Sequence, residues 1–96
     1  MAELVYLPAG RQARMNMEYT VYALKSIDHN YIYVGQTVDI ENRFLRHNNG
    51  REKTTRFYRP FKLFYTEKFS NRIEARQREK YLKSGCGKEF LKGLLD

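Results

Sequence analysis

Residues 19–35 read YTVYALKSIDHNYIYVG, and this stretch decides the fold. Two runs rich in β-branched and aromatic residues, 19–25 and 31–34, flank an Asp-His-Asn tripeptide, a pattern that predicts a β-hairpin. If the hairpin loop holds an even number of residues, paired positions have opposite parity, so Tyr22 and Tyr33 share one face of the sheet. The hairpin therefore predicts two phenols close together.

The chain beyond the hairpin predicts four further elements. They are a helix over 40–47 with Thr37 or Asp39 as N-cap, a strand over 62–69, a helix capped by Ser70 and Asn71 that runs to about 83, and a helix over 88–95. Gly85 is expected to stop the second helix, and Leu63, Tyr65 and Glu67 are expected to share one face of the strand. The order ββαβαα predicts an α+β domain, a three-stranded antiparallel sheet flanked by helices.

The first helix carries an unusual stripe. At about 100° per residue, Ile40, Arg43, Phe44 and His47 fall on one side of it. Two apolar residues are expected on a core-facing stripe. A guanidinium and an imidazole beside them cost free energy unless each meets a partner, which marks both as candidate functional groups.

Charge is unevenly distributed along the 96 residues, whose net charge is +7. Residues 1–42 carry three Lys/Arg against five Asp/Glu, and residues 43–96 carry fifteen against six. A basic half beside a neutral one favours a surface that binds a polyphosphate such as nucleic acid, although solvated helix surfaces are the ordinary alternative.

The length indicates one domain. Residues 1–17 show no sustained periodicity and are expected to form a disordered extension, which leaves 18–96 as the domain. The single cysteine, Cys86, excludes an internal disulfide and a cysteine-built zinc site. No apolar run approaches the roughly 20 residues that span a bilayer, so we expect a soluble cytoplasmic monomer without a membrane partner.

Three motifs together resemble the GIY-YIG nuclease family, in particular its small single-domain bacterial members. Thr20-Val21-Tyr22 stands where Gly-Ile-Tyr is usual, and Tyr33-Val34-Gly35 is similar to Tyr-Ile-Gly. Arg43 followed by His47, and then Glu74 near the start of the next helix, resemble the family's helix arginine, its occasional histidine and its metal-binding glutamate. The first triplet lacks its glycine, and no asparagine follows Asn71, where many members have one.

The resemblance implies an endonuclease that depends on a divalent metal, Mg²⁺ or Mn²⁺, and hydrolyses phosphodiester bonds in DNA by recognising structure rather than sequence. It implies that Tyr22 acts as general base with Tyr33 as its partner, or the reverse, and that Arg43 contacts the scissile phosphate. His47 would relay a proton or bind phosphate, and Glu74 would bind the metal. Gly35 is expected where the backbone passes close to a neighbour.

Each of these residues also has an ordinary structural interpretation. Strand tyrosines commonly line a half-buried sheet, and a histidine at a helix C-terminus meets the helix dipole. Glu74 forms a capping-box pattern with Asn71 and lies four residues before Arg78, a spacing suited to an ion pair.

Basic side chains of the second half are expected to contact the phosphate backbone. They are Arg46, Arg51, Lys53, Arg56, Arg59, Arg76, Lys80 and Lys83. Phe57 and Tyr58 lie in the basic loop 51–60, where one is expected in the core and the other at its rim, able to stack on an exposed base. Two other functions fit the same composition: a non-catalytic nucleic-acid-binding module, and an adaptor whose basic surface binds an acidic protein.

Overall fold

The computed structural model describes residues 17–96 and confirms the predicted order of elements. They are β1 (Tyr19–Ser26), β2 (Ile32–Thr37), α1 (Ile40–Asn48), a 3-10 turn (Arg56–Tyr58), β3 (Phe61–Phe69), α2 (Arg72–Leu82) and α3 (Gly85–Leu95). The longest helices of this part have 11 residues and are too short to cross a bilayer. The expected disordered extension over 1–17 lies outside the described residues, apart from Met17.

The three strands form one antiparallel sheet in the order β2-β1-β3, so β1 is central. Lys25 pairs with Ile32, and the Ser26 amide donates to the Tyr31 carbonyl at 3.0 Å, so four residues, 27–30, lie beyond the last paired positions of β1 and β2. Tyr22 pairs with Gly35 and Leu24 pairs with Tyr33. Paired residues project to the same side of a sheet, so Tyr22 and Tyr33 share one face, as the parity of the hairpin predicts.

The two faces of the sheet have separate cores. On the first, Tyr22, Leu24 and Phe61 are buried and Phe44 of α1 packs against them; we call this the tyrosine face. On the second, which we call the apolar face, α2 and α3 cover the sheet. Its buried side chains are Val21, Ala23 and Val34 of the sheet with Ala75, Leu82 and Leu91 of the helices. The sheet thus separates a polar-aromatic core from an aliphatic one.

The predicted alternation along β3 is wrong because a bulge interrupts it. Ala23 pairs with Tyr65 but Leu24 pairs with Leu63, so Phe64 has no partner on β1. A bulge places two residues opposite one and shifts the alternation of side chains. Leu63 therefore packs on the tyrosine face, whereas Tyr65 packs on the apolar face.

The last helix begins at Gly85, three residues before the predicted start, so Gly85 does not act as a stop. Ser84 caps α3 by accepting a hydrogen bond from the Gly87 backbone amide. A Cβ atom at Gly87 would lie 2.1 Å from the Tyr81 carbonyl oxygen. The absence of a side chain at Gly87 therefore allows α3 to lie close to the end of α2.

Candidate active site

The phenols of Tyr22 and Tyr33 meet above Gly35 on the tyrosine face. A Cβ atom at Gly35 would lie 2.7 Å from Tyr22 Oη and 2.9 Å from Tyr33 Cε2, both closer than carbon atoms normally approach. The two rings lie 6.2 Å apart, centroid to centroid. The absence of a side chain at Gly35 is what allows the two tyrosines to lie side by side.

A buried chain of hydrogen bonds continues from Tyr22 into α1 and the basic loop. Tyr22 Oη and His47 Nε2 are 2.9 Å apart, and His47 Nδ1 and Thr55 Oγ1 are 2.7 Å apart. Thr55 Oγ1 in turn donates to the Glu52 carbonyl at 3.5 Å. Tyr22, His47 and Thr55 have 0%, 1% and 0% of their surface exposed.

The hydrogen bond of Thr55 to the Glu52 carbonyl determines which atom donates in each of the other bonds of this series. Because the Thr55 hydroxyl donates to a carbonyl, its oxygen is left to accept from His47 Nδ1–H. His47 Nε2 then carries no proton and accepts from the Tyr22 hydroxyl. Burial lowers the pKa of His47, against the raising effect of Glu52, which favours this neutral imidazole.

Tyr22 and Tyr33 have different environments. Burial, and secondarily Tyr33, raise the pKa of Tyr22 above its ordinary value, an effect that the Arg43 guanidinium only partly offsets. Tyr22 therefore keeps its proton at neutral pH. Tyr33 is partly exposed, and its ring lies 4.9 Å from that of His47. The phenol that solvent reaches is that of Tyr33.

Arg43 lies beside Tyr22, where its guanidinium lowers the pKa of the phenol. Its side chain is 36% exposed, and its Nε is 3.8 Å from a carboxylate oxygen of Glu52. The same oxygen accepts a 2.7 Å hydrogen bond from Arg46, which lowers the pKa of Glu52. A single carboxylate thus holds two guanidiniums beside the tyrosine face, and each keeps donors available for a phosphate.

The structure does not bring Glu74 to the tyrosines. Glu74 lies in the first turn of α2, which covers the apolar face, and borders a depression with Phe69 and Tyr81. Its backbone amide donates to the Asn71 side chain at 2.9 Å, as a helix cap requires. The predicted ion pair with Arg78 does not form, because Arg78 pairs with Glu67 at 3.0 Å.

A second carboxylate of α2, Glu79, contacts β2, the edge strand that carries Tyr33. Glu79 accepts a 3.1 Å hydrogen bond from Gln36, the residue after Gly35. It also pairs with Lys83 at 3.0 Å. Gln36 and Arg43 line one depression of about 280 Å³ at the outer edge of β2. Glu79 is therefore hydrogen-bonded to one of the residues that line the depression beside Arg43. Glu74, five residues earlier on the helix, points about 140° away from Glu79.

The donor set at this edge suits a hard cation bound mainly by water and substrate. Within residues 17–96, no three His, Cys, Asp or Glu side chains cluster as a metal site. Mg²⁺ needs only one or two protein carboxylates when phosphate oxygens and waters complete its shell. The Glu79 carboxylate, 20% exposed beside the Gln36 amide, meets that requirement.

The basic residues predicted to contact nucleic acid divide into two groups. Arg46, Arg51, Lys53, Arg56 and Arg59 lie on α1 and the loop after it, beside the tyrosine face, and Arg46 is bonded to Glu52. Arg76, Lys80 and Lys83 lie on α2 and border one depression with Glu79. Arg76 also borders the depression that contains Arg43, so the two groups meet at the edge of β2.

Four residues of this site escaped the sequence analysis: Gln36, Glu52, Thr55 and Glu79. No local pattern marks Thr55 or Glu52, because their partners lie eight and six residues away across a loop. A signal existed for Glu79. Ala75 and Leu82 identify the buried side of α2, and a helical projection places Glu79 next to them, on the side of Arg76 and opposite Glu74.

Comparison with known proteins gives a consistent result. The family model described as GIY-YIG catalytic domain matches residues 18–90. A UPF0213 protein of Staphylococcus saprophyticus is 37% identical over 76 residues, which cover 78% of this chain and 92% of that protein. A UPF0213 protein of Clostridium perfringens is 47% identical over 64 residues, which cover 66% and 68%. The solution structure of a UPF0213 protein from Bacillus halodurans matches with a TM-score of 0.51 and 36% identity, over 81% of this chain and 85% of that one.

Proposed function

This chain belongs to the GIY-YIG catalytic domain family, and from that premise we propose that it is a divalent-metal-dependent endonuclease that hydrolyses phosphodiester bonds in DNA. The observation that carries the proposal is the convergence of Tyr22, Tyr33, Arg43 and His47, from two strands and a helix, on one side of the sheet. An ordinary half-buried sheet has no need to bury a tyrosine, a histidine and a threonine as one hydrogen-bonded chain.

In the proposed reaction the two tyrosines have different roles. Tyr33, whose phenol is accessible, contacts and orients the attacking water. Tyr22 stays protonated and donates to His47, which fixes the position of the ring that packs beside Tyr33. The resemblance named Tyr22 first as the residue that acts on the water, with the reverse as the alternative, and this proposal takes the reverse. It rests on the complete burial of Tyr22 and on the raised pKa of its phenol.

The remaining roles concern charge. Arg43 contacts the non-bridging oxygens of the scissile phosphate and stabilises the charge that develops there. Glu79, rather than Glu74, would hold Mg²⁺ or Mn²⁺ at the edge of β2. A bound ion of this kind supplies Lewis-acid stabilisation of the leaving oxygen. The exposed arginines and lysines of the basic loop and of α2 contact the flanking backbone and contribute no sequence readout.

Cleavage of supercoiled plasmid and of labelled oligonucleotides with Mg²⁺ tests the proposal. The wild type should cut, EDTA should abolish cutting, and Arg43→Ala should slow it by about 10²- to 10³-fold, the usual cost of removing one stabilising donor. Lys92→Ala, which removes one exposed positive charge of α3, is the control. A wild type that binds DNA with a steep salt dependence yet never cuts would instead indicate the non-catalytic binding module.

Two glutamates of one helix form a matched pair for the metal assignment. Glu79→Gln should lower activity strongly and shift the Mg²⁺ dependence to higher concentration, whereas Glu74→Gln should leave both unchanged. Both substitutions keep the size of the side chain and remove one charge. The reverse result would return the metal role to Glu74.

Single substitutions also distinguish the roles of the two tyrosines. Tyr33→Phe removes the hydroxyl that orients the attacking water and should lower the cleavage rate by about 10²-fold, the cost of a reacting group held out of position. Tyr22→Phe leaves His47 Nε2 without its donor and should also slow the reaction, while lowering stability by about 1–3 kcal/mol. Full activity in Tyr33→Phe would exclude the role given to that residue.

A further inference from the structure

Phe57 is a large aromatic residue held in an exposed position. It lies in the 3-10 turn of the basic loop, and 72% of its surface is exposed, the highest value among the large apolar residues of the part described. Single exposed apolar side chains are common and need no function. What distinguishes Phe57 is that its neighbours hold it in place.

Three other rings support Phe57, and together they form what we call the aromatic platform: His29, Tyr31, Phe57 and Tyr58. Tyr58 stacks on Tyr31 with centroids 3.8 Å apart and planes 7° from parallel. Phe57 packs edge-on against Tyr58 at 5.0 Å and lies 5.1 Å from His29. Its neighbours thus restrain the ring while most of its surface stays open to solvent.

Hydrogen bonds join the two segments that carry these rings. Ser26 Oγ donates to the Tyr58 carbonyl at 2.7 Å, and the Ile27 amide donates to the Pro60 carbonyl at 3.0 Å. Ser26 is fully buried, which shields its hydroxyl from solvent. The hairpin turn and the basic loop therefore form one rigid support, which lowers the entropic cost of binding a ligand on it.

The surroundings of the platform are positively charged. Arg56 and Arg59 lie in the basic loop, and Lys25 and Lys62 lie at the strand ends beside it. The two segments contain the carboxylates of Asp28 and Glu52, and Glu52 is paired with Arg46. Arg56 and Arg59 donate to the carbonyls of Gly50 and Arg56 at 3.0 and 2.7 Å. These bonds use one donor of each guanidinium and leave the others free for phosphate oxygens.

The platform adjoins the candidate active site. Tyr31 directly precedes β2, two residues before Tyr33, and packs on the tyrosine face as Tyr33 does, a separation of about 7 Å in extended chain. Thr55, at the end of the buried chain from Tyr22, is two residues before Phe57. One strand of nucleic acid extended along this edge would meet the platform and Tyr33 in succession.

We propose that the aromatic platform is a stacking site for an unpaired nucleobase, with Phe57 as the ring on which the base stacks. This inference rests on the proposed function, in that it takes nucleic acid as the ligand, and it adds the substrate class: strands with an unpaired base beside the scissile bond. A base within an intact duplex offers no free π-face, whereas single strands, flaps and gaps do.

Binding measured by fluorescence anisotropy in EDTA tests the inference without any cleavage. The ligands are a labelled single strand and the blunt duplex of the same sequence. Phe57→Leu keeps an apolar side chain but removes the π-face, and it should weaken single-strand binding by about 5- to 150-fold, the range for one base–aromatic stack. Duplex binding should change less than about two-fold. Phe90→Leu, at a 40% exposed ring of α3, is the matched control.

A second variant reports on the contact itself. The chain contains no tryptophan, so Phe57→Trp introduces a single indole whose emission a stacked base should quench. We expect quenching by the single strand, little by the duplex, and affinity at least equal to that of the wild type. An unquenched indole, or equal losses for both ligands in Phe57→Leu, would overturn the stacking site.

The outcomes for the platform and for the nuclease are separable. Weakened single-strand binding in Phe57→Leu, together with a wild type that never cuts, would retain the stacking site and reject the nuclease. Active cutting with no effect of either substitution at Phe57 would do the opposite.

Discussion

Each face of the sheet carries its own core, and the two cores are built from different chemistry. The apolar face buries Val21, Ala23 and Val34 against Leu82 and Leu91, and these buried side chains carry no polar atom. The tyrosine face has a fully buried tyrosine, histidine and threonine in its centre. A small domain with one aliphatic core can meet most of its stability requirement there, which leaves the other face free for polar groups.

The difference between the two faces is a difference between stability and the positioning of polar groups. A buried hydroxyl or imidazole contributes less to stability than an aliphatic side chain of similar size, because its hydrogen bonds only replace bonds to water. Its orientation, however, is fixed. The polar face thus gives up some free energy of unfolding in exchange for groups held in defined positions.

The largest expected effect on stability lies on the apolar face. Leu82→Ala removes a fully buried side chain between α2 and the sheet and should lower the free energy of unfolding by about 2–5 kcal/mol. Activity per folded molecule should stay near wild type. Denaturant unfolding measures the change, with Leu94→Ala at a 49% exposed position as control. A loss below about 1 kcal/mol would mean that this core is not the main source of stability.

On the tyrosine face, Gly35→Ala should lower activity more than stability. The new methyl group would meet Tyr22 and Tyr33 at 2.7 and 2.9 Å and displace one ring or both. Overpacking of this kind costs about 1–3 kcal/mol, and a ring shifted by about 1 Å can slow catalysis about 10²-fold. Gly93→Ala, where the added atom meets nothing within 4 Å, is the control. Cleavage and unfolding assays on both variants decide the point.

Thr55→Val tests whether the buried chain of hydrogen bonds positions His47. The isosteric valine removes the only acceptor of His47 Nδ1 seen within residues 17–96, and it should cost about 1–3 kcal/mol of stability. It should also alter the pH dependence of cleavage, because the tautomer of His47 is no longer specified. Thr55→Ser, which retains the hydroxyl, should restore both properties. If valine and serine behave alike, Thr55 serves only packing.

The smallest effect is a dependence of stability on pH. Burial lowers the pKa of His47 in the folded protein, so below the ordinary histidine value of about 6.5 the unfolded chain binds a proton that the folded chain does not. Stability should therefore fall as the pH drops below about 6.5, with a slope of at most about 1.4 kcal/mol per pH unit. The carboxylate of Glu52, whose pKa Arg46 lowers, acts separately below its own ordinary range.

Unfolding curves between pH 5 and 8 measure that slope. His47→Gln should flatten the acid side of the curve even if its overall stability is lower, whereas His29→Gln, in the hairpin turn, should not. An unchanged slope in His47→Gln would assign the pH dependence to another group.

Local patterns predicted the elements and half of the site. Strand propensity and loop parity placed Tyr22 and Tyr33 on one face, and the helical stripe placed Arg43 and His47 on one side of α1. The packing of α1 on the sheet brought both helix residues to Tyr22. Local patterns did not predict the bulge at Phe64, because a bulge is a property of pairing between strands and not of one strand. The prediction that Gly85 stops a helix was wrong, because Ser84 caps a new helix that begins at Gly85 and accepts a hydrogen bond from the Gly87 amide.

Glu74 and Glu79 of α2 illustrate the difference between what the sequence determines and what tertiary packing decides. Charge, motif spacing and periodicity, all read along the chain, determined the family resemblance, the order of elements and the pairing of the tyrosines. Which glutamate faces the site, and which side chains complete the buried chain at Thr55, depended on how the helix and the loop pack against the sheet. A local pattern reports only on neighbours within a few residues, whereas distant hydrogen bonds form after packing has chosen one orientation for each element.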